Sequence, residues 1–144
     1  MIYGALSTSF SIIGKPIGAV RQTRADAWKK RPCVLAYREW CDTARLACTG
    51  SDKKLDANQW LGFYAFSHSP MPESWSEKKK AAMAGHLMRQ KPDADNVSKA
   101  IGDALFDNDE RLAIMQCVQY WCMPEEMPRV DVFLLPQPIP EHAR

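Results

Sequence analysis

Between Val34 and Cys48 the apolar side chains fall at Val34, Tyr37, Cys41, Ala44 and Cys48, at intervals of three and four. That spacing puts them on one face of an α-helix. Pro32 suits a first helical turn and Gly50 a helix end, so the pattern predicts a helix between them. Other segments carry strand patterns. Residues 2 to 13 mix alternation with small residues and read as a strand, most clearly over Phe10 to Ile13, before Gly14, Pro16 and Gly18 break it. The aromatic-rich run Trp60 to Phe66 reads as a second strand, ended by Pro70 and Pro72. Ser74 is placed to cap a short helix starting near Trp75, with Gly85 weakening its end. His86 to Lys91, Leu112 to Cys122 and Arg129 to Leu135 complete the predicted strands. Residues 51 to 58 and the tail with Pro136, Pro138 and Pro140 are expected to lack regular structure.

The sharpest two-faced pattern lies near the centre. Val97, Ala100, Ile101, Ala104 and Leu105 follow helical spacing and must face a core. Opposite them, at intervals of four, stand Asp95, Lys99 and Asp103. The predicted helix starts at Asp95 or Asn96, and Asp93 lies just before it. Together these elements predict a single α+β domain, a mixed β-sheet packed with two or three α-helices. Its core spans about residues 10 to 135.

Composition narrows the classes. The 144 residues are 46% apolar and 25% charged, enough for one domain with its own core. No apolar run approaches the ~18 residues of a membrane span, and no secretory leader pattern follows Met1. Cys33, Cys41, Cys48, Cys117 and Cys122 are odd in number and lack a C-x-x-C pair, which points to reduced thiols in a cytoplasmic protein. The net charge of +2 matters less than its distribution. Residues 15 to 31 hold Lys15, Arg21, Arg24, Lys29, Lys30 and Arg31 against one acid, Asp26. Residues 78 to 91 hold Lys78, Lys79, Lys80, Arg89 and Lys91 with no acid. Two basic stretches around an acidic centre suit a polyanion gripped while a metal acts on it.

That centre, Lys91-Pro92-Asp93-Ala94-Asp95, offers two carboxylates to a hard cation such as Mg²⁺, which keeps several waters and takes few protein ligands. Asp107, Asn108, Asp109 and Glu110 form a further acidic cluster, and one of them folding back would complete a metal shell. The chemistry suggested is phosphodiester hydrolysis, with Lys99 neutralising charge on the phosphate or positioning the water. The plainer alternative makes Asp95 a helix cap, Lys99 its i+4 partner and residues 107 to 109 a turn. His68, His86 and His142 read as surface or hydrogen-bonded histidines. Trp75 reads as a structural anchor, and Tyr37 and Trp40 as core or subunit-contact residues. Trp28, inside the basic loop, suits either base stacking or a subunit contact.

The order of motifs resembles the RusA family of Holliday junction resolvases, known from bacteria and prophages. Phe10 to Pro16 with Arg21 and Arg24 is similar to that family's first strand and basic G-K-P loop. Pro70 to Ser76 with Lys78, Lys79 and Lys80 is similar to its P-x-S-W-S segment. Lys91 to Asn96, Lys99 and Asp103 to Leu105 are similar to its K-P-D-x-D-N-x-x-K-x-x-x-D-A-L signature. The resemblance implies that Asp93 and Asp95 bind metal, that Lys99 is catalytic and that Asp109 is the later metal-binding aspartate. Asp107 stays a rival, because Asn108 stands where a further aspartate is usual and the stretch from Asp103 to Asp109 is short. Asp103 is expected to be structural, bound to Lys99. The implied protein is a homodimeric endodeoxyribonuclease dependent on Mg²⁺, with Mn²⁺ able to substitute, that nicks four-way junctions in pairs during recombination and repair. Lys15, Arg21, Arg24, Lys78, Lys79, Lys80, Arg89 and Lys91 would then contact DNA. Two other readings compete: a non-catalytic module that binds branched DNA, and a phosphotransferase acting on a small nucleotide. The second lacks any G-x-x-x-x-G-K-[ST] loop.

Overall fold

The computed structural model describes residues 8–138, so the proposed start of the first strand at 2–7, His142 and most of the tail lie outside the described residues. Four strands form one mixed sheet: β1 (Thr8–Ile13), β2 (Trp60–Ser69), β3 (Ile114–Trp121) and β4 (Arg129–Pro136). Their order is β1-β4-β2-β3, with β4 antiparallel to both β1 and β2, and β2 parallel to β3. Parallel neighbours need a long crossover. Here it carries the helices α2 (Glu77–Met83) and α3 (Ala94–Leu105). The third helix, α1 (Pro32–Thr49), joins β1 to β2.

One face of the sheet is the core face. Ile12, Phe63, Ala65, Val130, Val132 and Leu134 point from it toward α1 and α3 and are buried. The predicted stripe of α3 is buried throughout, and α1 buries Val34, Tyr37, Trp40, Cys41 and Ala44. Tyr37 and Trp40 are therefore core residues. Gly50 ends α1 at φ 72°, the left-handed conformation that favours glycine at this position. Gly62 marks a register shift between β2 and β4 at φ 152°, where a Cβ would collide with the Ile114 carbonyl. All five cysteines are free, and burial pushes the Cys48 and Cys117 thiols up to about 11.

Several boundaries differ from the sequence expectation. β2 runs on to Ser69 because residues 67–69 pair with Gln119 to Trp121 of β3. α2 starts at Glu77, not near Trp75, because Ser76 rather than Ser74 accepts the capping bond, from the Lys79 amide at 3.2 Å. Trp75 instead meets Trp121 edge-on at 5.0 Å, the anchoring role expected of it. His86 to Lys91 is not a strand. Only a bridge from Leu87 to Tyr120 forms there, on the open edge of β3. Residues 109–111 make a 3₁₀ turn, so β3 begins at Ile114 rather than Leu112. Pro136 belongs to β4 and pairs with Trp60.

The basic loop is ordered by one acid. Asp26 is buried, accepts two bonds from Arg31 at 2.8 Å and accepts the Thr23 amide at 2.7 Å. The Arg31 bonds, with the Thr23 amide, hold its carboxyl well below the usual carboxylate range. A carboxylate with a depressed folded pKa stabilises fully above its unfolded value, about 4, and loses that contribution as pH falls toward the folded value. The stability gap between the parent and Asp26→Asn in urea unfolding is therefore expected to be widest near pH 6 and to narrow at pH 2.5. A gap that grows on acidification would contradict this role.

Candidate functional site

α3 runs back across the sheet from the carboxyl ends of the parallel pair β2 and β3, and this direction fixes where its acids stand. At its start, Asp93 is the N-cap: its Oδ1 accepts the Asn96 amide at 2.8 Å. Asp95, in the first turn, is not the cap. Its Oδ2 lies 3.3 Å from Lys99 Nζ, and both side chains are largely exposed, at 81% and 62%. An ion pair so exposed contributes only about 0.3–0.5 kcal/mol, too little to explain both residues by stability. The Lys91–Pro92 peptide preceding them is cis.

Buried polar groups hold this turn against the sheet. Gln119 on β3 is buried and donates from Nε2 to the Pro92 carbonyl at 2.8 Å, while Ser67 Oγ lies 3.3 Å from its Oε1. From the other side, the Ala19 amide donates to the Asn96 carbonyl at 3.1 Å, and a Cβ on Gly18 would collide with Asn96 Nδ2. Sequence reasoning missed Gln119 and Gly18. Their roles depend on contacts across the fold, and the only local cue was an amide between Cys117 and Trp121 in an inward-facing strand pattern.

Asp109 lies elsewhere. It packs against Gly102, where an added Cβ would come within 2.9 Å of its Oδ2. Gly102 follows Asp95 by seven residues, so the two share a side of α3 but stand about 10 Å apart along its axis. Among the described residues no three His, Cys, Asp or Glu side chains come together as a metal-holding group. Asp93 and Asp95 thus share the first turn of α3, and Asp109 packs about two turns further on, at Gly102. Asp109 opens instead on a cleft of about 410 Å³, lined also by Asp103, Asp107, Tyr37, Arg45 and Lys54. Burial, then the nearby Asp103 charge, raises its pKa.

Its acidic neighbours have structural partners. Asp107 Oδ1 accepts the Ala57 amide at 3.0 Å and its own amide donates to the Leu55 carbonyl, so it ties down the segment before β2. Asp103 does not bind Lys99 as expected. It accepts the Tyr37 hydroxyl at 2.9 Å, joining α3 to α1. Gly102→Ala is expected to displace Asp109 and Met115 Cε, which the new methyl would approach to 2.7 Å. If Asp109 takes part in the chemistry, that variant should lose about tenfold or more in DNA cleavage while keeping its circular dichroism; the barrier equivalent is about 1.4 kcal/mol. Unchanged cleavage would remove Asp109 from the site.

The basic residues fall in three stretches: the segment after β1, helix α2, and the segment between α2 and α3. Lys15 and Lys91 line one cleft with Pro92, immediately before Asp93. Arg21 and Arg24 are exposed on the loop ordered by Asp26, and Arg31 also donates to the Arg21 carbonyl. On α2, Lys78 is exposed, Lys79 Nζ stands 4.2 Å from the Trp75 ring centre and Lys80 lies 3.8 Å from Glu77. Arg89 is exposed. Trp28 is 68% exposed among these cations, while His68 is half-buried between Glu126 and Asp131 and stacks on Tyr120. His68 has a lowered pKa, chiefly through burial and secondarily through Arg129, and is a structural histidine.

A family model described as Endodeoxyribonuclease RusA matches residues 14–134. No curated protein and no solved structure gave a match. The matched span includes the basic loop, the cap and first turn of α3, and Asp109.

Proposed function

The chain belongs to the RusA family of endodeoxyribonucleases, and on that premise we propose that it is a divalent-metal-dependent endonuclease that resolves four-way DNA junctions by paired symmetric nicks. The observation that carries this reading is the start of α3. Two exposed carboxylates stand at the cap and first turn of α3 with an exposed lysine one turn later, and the first turn is braced by Gln119 and the Gly18 loop.

The donor set fits a hard cation. Asp93 commits one oxygen to its capping bond, Asp95 faces only Lys99, and all the available donors are oxygen. Mg²⁺ commonly takes one or two protein carboxylates beside waters and substrate phosphates, so Asp93 and Asp95 would suffice as its anchor. Asp109 is proposed as a further carboxylate on the same side of α3. Mn²⁺ would be accepted by the same oxygens. When bound, such an ion supplies Lewis-acid stabilisation of charge on the phosphate and a more acidic water.

The protein's own groups do the rest. Lys99 balances phosphate charge that grows in the transition state. Lys15 and Lys91 hold the backbone beside the cut, and Arg21, Arg24, Lys78, Lys79, Lys80 and Arg89 grip it farther out. A four-way junction has two matched strands to cut, so a two-fold homodimer presents one site to each. The outer sheet face, exposing Ile13, Tyr64, Val118 and Phe133, offers apolar surface for such pairing.

Replacing Arg21 and Arg24 together by Ala is expected to weaken junction binding and to reduce the slope of log K against log salt by about two per protomer. An unchanged slope would take both out of the interface. The separation of Asp109 from the other two aspartates favours one competing reading, a module that binds branched DNA without cutting it. Titrating Mg²⁺ and Mn²⁺ against a labelled junction separates the two: product at some metal concentration supports the nuclease, and stable binding with no product at any concentration supports the module.

A further inference from the structure

A second cleft, of about 380 Å³, opens beside the carboxylate turn at the carboxyl ends of the parallel strands β2 and β3. Ligands gather at such strand ends because side chains there converge while the backbone pairing stops. Its lining combines apolar side chains with a few polar groups, the usual make-up of a small-molecule pocket. Met71, Met88 and Trp121 line it, together with the exposed Lys15 and Lys91 and one acid, Glu73. Ser69, the last residue of β2, lines it too and is 3% exposed. Its hydroxyl is buried and has no hydrogen-bond partner among the described residues. A buried hydroxyl left unpaired is costly, so a polar atom brought to it gains what the free protein lacks.

We propose that this cleft receives one unstacked nucleobase of the DNA, next to the phosphate that Lys15 and Lys91 hold beside the carboxylate turn, with Ser69 bonding the base edge; this rests on the nuclease reading above. Three observations select that occupant. The lining includes sulfur and indole surfaces, on which a base packs favourably. Two lysines line it too, as the phosphates on either side of a displaced base require. The cleft also adjoins Pro92, whose carbonyl is fixed by Gln119 and which immediately precedes Asp93 in the chain. A free metabolite would need neither lysine to be paired with the other. Unstacking a base is least costly where pairing is already disturbed, and a junction crossover is such a place. The cleft would thus make Ser69 a residue that selects which nucleotide lies at the cut.

The test uses the full chain and a four-way junction carrying 2-aminopurine at single positions on either side of the mapped cut. This base brightens when it leaves the stack. With EDTA present, binding is expected to brighten one position several-fold. Met71→Trp, which fills the cleft, should abolish the brightening while the junction stays bound. Ser69→Ala should keep the brightening but flatten the base preference at the cut by about five- to tenfold, the low end of what one good base contact supplies. Thermal midpoints check that both variants are folded. A junction that is bound, and cut in Mg²⁺, with no position brightening overturns this inference alone, as does a Met71→Trp variant with the parent's brightening and base profile. A parent that neither binds nor cuts the junction overturns the nuclease reading as well.

Discussion

Asp95→Asn is expected to lower DNA cleavage by about a thousandfold or more, on the order of 4 kcal/mol of barrier, with folding and junction binding nearly intact. Asn keeps the size of Asp and removes the charge that attracts a cation. The structural cost is small, because Asp95 is exposed, is not the helix cap and has only the exposed Lys99 as a partner. Asp93 offers a sharper comparison. Asn caps a helix about as well as Asp, whereas Ala forfeits roughly 1 kcal/mol. Asp93→Asn should therefore abolish cleavage at parental stability, and Asp93→Ala should lose both. Undiminished nicking by either Asn variant in Mg²⁺ would remove that carboxylate from the chemistry.

Phe63→Ala is expected to cost about 3–5 kcal/mol in urea unfolding. Small domains have only about 5–15 kcal/mol in total, so the variant would be near its unfolding limit at 37 °C. Phe63 is fully buried on the core face of β2, its ring stacked on Phe106 at 6.3 Å and 13°. Phe106 immediately follows α3 and begins the short path to Asp109. Removing the ring leaves a cavity between the sheet and Phe106 at the end of α3. A loss below about 1 kcal/mol would mean that the sheet and α3 do not pack as described.

Elements whose signals are local were legible in the chain. Pro32, Gly50 and the spacing between them define α1, and the stripe from Val97 to Leu105 defines α3. Ambiguity entered where two equivalent residues compete. Ser74 and Ser76 flank Trp75, and Asp93 and Asp95 flank Ala94. In each case only the backbone path decides which side chain meets the free amides. Contacts between distant segments were not legible. Tyr37 takes Asp103 from 66 positions away, and Gln119 reaches Pro92 across 27. Asp109 is the instructive case. The acidic cluster at 107 to 110 and the motif order point to it as a partner of the other aspartates, while its place in the fold is set by residues 106 to 108, which alone separate it from α3. So short a connection keeps Asp109 near the far end of the helix.

The most direct measurement is cleavage of end-labelled four-way, forked and linear DNAs in Mg²⁺, with the cut on every strand mapped. The account predicts two cuts at symmetry-related positions of the four-way junction, no comparable product from linear duplex, and loss of both cuts in Asp95→Asn. A junction that is bound but left whole across the metal titration, or one cut equally well by Asp95→Asn, would contradict it.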